Sequence, residues 1–152
     1  DKKGDNMLRY SDWPDRLSGF LKERHNTPFT WGKSDCCLFA FDAVQVVNGS
    51  DPAHFFRGKY STMKEAFKLI KKFSGGGVEE TVEKIFVDMG CESVSMREAN
   101  SGDVVLMEVE NVHPEAHGLT AGIVYDKTMA IAQGTNGLVY VDKPDIKSVW
   151  AI

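Results

Sequence analysis

The chain has 152 residues, 42% of them hydrophobic and 26% charged, a composition that suits one globular domain and excludes a multidomain assembly within this length. A formal net charge of -4 offers no basic footprint for nucleic acid, and no run approaches the ~18 consecutive apolar residues of a membrane-spanning helix, so neither nucleic acid nor a membrane is an expected partner. Two adjacent cysteines, Cys36 and Cys37, and a distant Cys91 make no disulfide framework and read as free thiols.

Asp1 to Asn6 are polar and patternless, precede Met7, and read as a remnant outside a single domain spanning residues 7–152. They carry no apolar core of a signal peptide. Trp13, Leu17, Phe20 and Leu21 then fall at helical spacing between Ser11 and about His25, behind Asp12 as N-cap and Pro14 in the first turn. An aromatic loop, Pro28 to Ser34, leads to a second helix from near Asp35 to Asn48-Gly49. It is apolar almost all round, as a helix buried on most faces must be. Asp51-Pro52 opens a short helical turn through Phe56. Thr62-x-x-Glu65 is a capping-box pattern for a helix that Gly75 to Gly77 stop, and Val78 to Met89 repeat as a fourth helix ended by Gly90.

Beyond residue 90 the apolar period changes from helical to alternating. Strands are expected at Cys91–Ser95, Val104–Glu110, Leu119–Tyr125, Met129–Gln133, Leu138–Asp142 and Ser148–Ile152, joined by short turns into an antiparallel meander. Helices first and strands second indicate an α+β fold, with N-terminal helices packed on a C-terminal sheet of five or six antiparallel strands.

The segment Trp31-Gly32-Lys33-Ser34-Asp35-Cys36-Cys37 places a thiol in the first turn of the buried helix. Main-chain N–H groups there lack intrahelical partners and carry partial positive charge, which favours a thiolate and can also receive the oxyanion of an acyl-transfer intermediate. The alternative is that Cys36 and Cys37 are small apolar residues filling space beneath the sheet. Asp35 reads first as the N-cap. Phe29, Trp31, Phe55, Phe56 and Tyr60 are candidates to line a groove near Cys36, with core packing the simpler role for Phe55 and Phe56. His113 and His117 stand four apart, but with Pro114 between them and no third ligand they make no persuasive metal site, and no cofactor is expected. His25 and His54 read as surface or capping residues.

These features together resemble the NlpC-type cell-wall peptidases, a papain-like cysteine hydrolase family. The resemblance rests on Phe29-Thr30-Trp31-Gly32 followed by Asp35-Cys36, on Gly102-Asp103 entering a long strand, and on Thr120-Ala121-Gly122-Ile123 opening the next. It implies a papain-like fold with Cys36 as nucleophile and a groove formed by Phe29, Trp31 and Asp35. The family's general base is a histidine where this chain has Thr120, its orienting residue falls near Ala132-Gln133, where only Gln133 is polar, and its loop often carries a tyrosine in place of Phe29. The replacement base is then His117 or His113, in the loop before that strand, or alternatively His117 is a solvated loop histidine.

The resemblance further implies a small phage- or prophage-borne protein, made in the cytoplasm and carried in the virion at the tail tip, acting on peptidoglycan stem peptides at the bacterial cell wall. Two alternatives stand beside it: a degenerate structural or assembly module binding phage tail proteins, and a phage protein that binds a host partner.

Overall fold

The computed structural model describes residues 8–110 and 118–152. Among these residues the chain is an α+β protein in which four helices precede the main part of a six-stranded antiparallel sheet. Helix α1 (Trp13–Arg24) has Pro in its first turn, where a missing N–H costs nothing; Asp12 stands at the cap position but pairs with Arg16 instead of capping. Helix α2 (Cys36–Asn48) is capped by Asp35 and closed by Gly49 in the left-handed conformation. In α3 (Met63–Ser74) the Thr62 hydroxyl accepts from the Glu65 N–H, while the Glu65 carboxylate accepts from the Ser61 N–H. Helix α4 (Val78–Asp88) follows the glycine stop, with Glu80 accepting from the Gly77 N–H.

The strands are β1 (Ser93–Val94), β2 (Val104–Glu108), β3 (Leu119–Val124), β4 (Met129–Gln133), β5 (Leu138–Asp142) and β6 (Asp145–Trp150), in the order β1-β6-β2-β3-β4-β5. Only β2 to β5 form the expected meander. The last strand crosses back to the free edge of β2, with β1 outside it, and this seats Val149 and Trp150 in the core. It also begins three residues earlier than the alternation indicated, at Asp145, where a single partly buried apolar residue, Ile146, stands between the exposed Asp145 and Lys147. Glycine at 122 is a steric requirement: a Cβ there would lie 2.4 Å from the Ile131 carbonyl oxygen on β4.

Strand alternation divides the core in two. One face of the sheet presents Val104, Leu106, Ala121, Ile123, Ile131 and Trp150 to the helices, above all to α2, whose Leu38, Phe39, Ala43, Val44 and Val47 are fully or almost fully buried. The opposite face holds Val105, Met107, Val124, Ala130, Ala132 and Val149.

Arg9 ties the C-terminal residue to the β2 entry. Arg9 donates from Nε to the Ile152 carbonyl (2.9 Å), from Nη1 to the Ser101 carbonyl (2.6 Å) and from Nη2 to Asp103 Oδ1 (2.7 Å). Asp103 also accepts from the Ile152 and Asn100 N–H groups, so the Gly-Asp pair serves the strand entry and the C-terminus at once. Arg9→Lys keeps the charge but cannot hold three divergent acceptors; it is expected to cost about 1–2 kcal/mol in denaturant unfolding. An unchanged midpoint would show that the fork contributes nothing.

Candidate thiol site

The site begins with the loop before α2. Ser34 Oγ donates to the Pro28 carbonyl (2.6 Å), and Gly32 adopts φ 82°. A Cβ at Gly32 would sit 2.0 Å from the Tyr60 carbonyl oxygen, so glycine is what lets this loop close against the segment leading to α3. Asp35, 1% exposed, ties the two together. Its Oδ1 accepts from the Leu38 N–H (2.9 Å), and its Oδ2 accepts from the Gly32 N–H (2.9 Å) and the Tyr60 hydroxyl (2.5 Å). Burial nevertheless pushes the carboxyl above its ordinary range, against the lowering effect of those three donors. Burial, and then the Asp35 charge, push the Tyr60 phenol up strongly, so Tyr60 is a fixed hydroxyl donor at neutral pH.

Cys36 is the first residue of α2 and is half-buried. Its thiol is shifted below the ordinary value, chiefly by a hydrogen bond from the Cys37 thiol, with further bonds from the backbone of Ala121 and of Cys37; burial and the Asp35 charge oppose the shift. Cys37 is pushed well up by the same thiol–thiol bond and by burial. The pair therefore gives up its first proton from Cys36, as the helix N-terminus also favours. Burial, with a contribution from Asp103, pushes Cys91 up to about 11.

Both thiols open onto a cavity of about 70 Å³ between α2, α3, α4 and β3. Its wall is mostly aliphatic and aromatic, including Trp31, Phe41, Ala66, Ile70, Val82 and Leu119, with the Thr81 hydroxyl bonded to Ser74. Asp35 is the one charged side chain among the described residues that line it, and both its oxygens are already engaged.

Of the residues expected at the site, Trp31, Asp35 and Cys36 share this cavity. Phe56 and Tyr60 line it too, while Phe55 packs against Phe56 and Phe73. Phe29 stands behind Trp31, edge to face at 4.9 Å. Gln133 lies on the helix-facing side of β4, but its Nε2 donates to the Thr27 and Gly134 carbonyls, so it braces the loop and does not line the cavity. Thr120 is paired with Met107 and fully buried on the sheet face away from α2. The residues that β3 presents toward the thiol are Leu119 and Ala121. His113 and His117 lie outside the described residues, as do residues 1–6. Among the described residues no cluster of three His, Cys, Asp or Glu side chains is placed to hold a metal ion.

Two features were not read from the sequence. The Tyr60–Asp35 bond joins residues 25 apart in a stretch without periodicity. Cys37 looked like a space-filling neighbour, yet it is the largest single influence on the Cys36 thiol; its adjacency to Cys36 was the available signal. No curated protein matches the sequence. A family profile matches residues 8–152, nearly the whole chain, and on that match the chain belongs to DUF6950, a domain of unknown function.

Proposed function

We propose that this chain is an NlpC-like cysteine hydrolase domain of papain-like fold, phage- or prophage-derived and tail-tip associated, which cleaves peptide bonds in peptidoglycan stem peptides with Cys36 as nucleophile. The observation that carries the reading is the Cys36 thiol: it starts a buried helix, is biased toward thiolate by Cys37 and Ala121, and opens onto a cavity. The thiolate attacks the scissile carbonyl carbon, and the developing oxyanion meets main-chain N–H groups at the start of α2. As the C–N bond breaks, the amine leaves with a proton delivered by the base, and water then hydrolyses the thioester to return the thiol. His117, or His113, is the base in this proposal, an assignment that rests on their place in the sequence immediately before β3.

One observation favours the alternative of a degenerate assembly module: β3 offers the thiol only Leu119 and Ala121, neither of which can take a proton. Digestion of purified sacculi separates the two. Wild type is expected to release stem peptides, Cys36→Ala none, and His117→Ala or His113→Ala about 10²–10⁴-fold less. Wild-type protein that releases nothing, while its Cys36 still alkylates readily, would establish the module instead.

A further inference from the structure

The cavity beside Cys36 has a chemistry of its own. Cys36 and Cys37 share its lining with Ala66 and Ile70 of α3 and Val78 and Val82 of α4. Phe67, 48% exposed, also lines it. A charged group entering it would lose its water among polar side chains already engaged, Asp35 with Leu38, Gly32 and Tyr60, and Thr81 with Ser74. An aliphatic group loses nothing there and gains contact. The volume, about 70 Å³, is roughly half of the ~150 Å³ that accommodates benzene in an engineered apolar cavity, enough for an aliphatic group of about three or four carbons.

We infer that the cavity is an acyl-group subsite: the acyl half of the substrate that becomes bonded to Cys36 carries a small, uncharged aliphatic group seated between α3 and α4. This rests on the reading of Cys36 as a nucleophile and narrows its substrate. In a peptide, the residue whose carbonyl is attacked has an alkyl side chain, and acidic or diamino residues belong on the leaving side.

Activated esters test this without depending on the general base, because p-nitrophenolate leaves without needing a proton. The Cys36 thiolate attacks the ester carbonyl carbon, the carbon–oxygen bond breaks, p-nitrophenolate departs with the electron pair, and a thioester forms on Sγ. The measurement is the rate of acylation at each cysteine of the native full chain, resolved by peptide mass, with p-nitrophenyl acetate, butyrate and octanoate and with mono-p-nitrophenyl succinate. Butyryl transfer to Cys36 is expected to exceed acetyl transfer by roughly tenfold, the effect of two further methylenes leaving water. Octanoyl gains nothing more, and succinyl falls below butyryl. Ala66→Phe, which adds a ring to the lining, brings the butyryl-to-acetyl ratio to about one; the ester series on the unaltered protein stands by itself if that variant does not fold. Selective acylation of Cys36 with no preference for butyryl over acetyl, or with succinyl as fast as butyryl, overturns the subsite and leaves the nucleophile standing. No acylation of Cys36, or equal acylation of Cys91, overturns the nucleophile and the subsite with it.

Discussion

Asp35→Ala lowers the stability of the fold by about 3 kcal/mol, a fall in melting temperature of roughly 6–12 °C for a domain of this length. The lost N-cap at Leu38 accounts for about 1 kcal/mol. The Tyr60 hydroxyl and the Gly32 N–H lose their acceptor in a buried place, at about 1–3 kcal/mol each, and release from burying a carboxylate offsets part of the sum. Asp35→Asn separates these contributions. Asparagine keeps one oxygen for the Leu38 cap and removes the buried charge, but its amide nitrogen replaces the oxygen that faces both Gly32 and Tyr60; the Tyr60 hydroxyl can turn to accept from it, the Gly32 N–H is left without an acceptor, and the net cost should be about 1 kcal/mol. The two proteins also differ in pH dependence. Because folding raises the Asp35 pKa, the stability linked to its proton is fully present below the unfolded value and is lost as pH rises through the folded one. The stability of wild type relative to Asp35→Asn should therefore decline with rising pH, starting from about pH 4. Urea unfolding of both proteins across that range reads it directly, and a constant difference would mean that burial does not perturb the carboxyl.

The same residue shows how far the sequence could be read. Asp35 as cap, the helix from Cys36 to Asn48 and the Thr62 start of α3 were legible because caps and apolar periodicity are local properties of the chain. Strands β4 and β5 were legible to the residue because both are short runs bounded by turns, β4 buried almost throughout and β5 alternating between buried and exposed positions. The return of β6 to β2 was not, because which edge a strand joins depends on surface left open by elements far away in the chain. Thr120 shows the corresponding limit at the site. The motif reading expects a base at this position, yet the register opposite Met107 turns Thr120 to the other side of the sheet, and a step of one residue is all that separates the two faces. Leu119 and Ala121, which carry no signal of chemistry, are the residues beside the thiol. The cavity was likewise invisible, since it is assembled from α3 and α4 faces that each read as ordinary helical core.

Activation of Cys36 has a consequence that does not depend on any substrate. At pH 7, iodoacetamide should modify Cys36 at least about tenfold faster than Cys91, although both are half-buried. Cys91 is held up to about 11 by burial, whereas Cys36 lies below the ordinary thiol value of 9.0, so their thiolate fractions differ by about 100-fold or more. The lower basicity of the Cys36 thiolate returns about one factor of ten, given a nucleophilicity slope of ~0.4–0.5. The rate at Cys36 should climb with pH through a midpoint below the ordinary value and level off above it. Cys37→Ala removes the principal donor and should move that midpoint upward, slowing modification at pH 7 by about threefold to tenfold. Cys37→Ser keeps a donor on the same carbon and should leave the midpoint low, and it is this difference between the Ala and Ser proteins that a purely space-filling Cys37 would not produce. Equal rates at Cys36 and Cys91, or an unmoved midpoint in Cys37→Ala, would remove the thiol pair as the source of the activation, because the helix terminus and the Ala121 backbone are present in every one of these proteins.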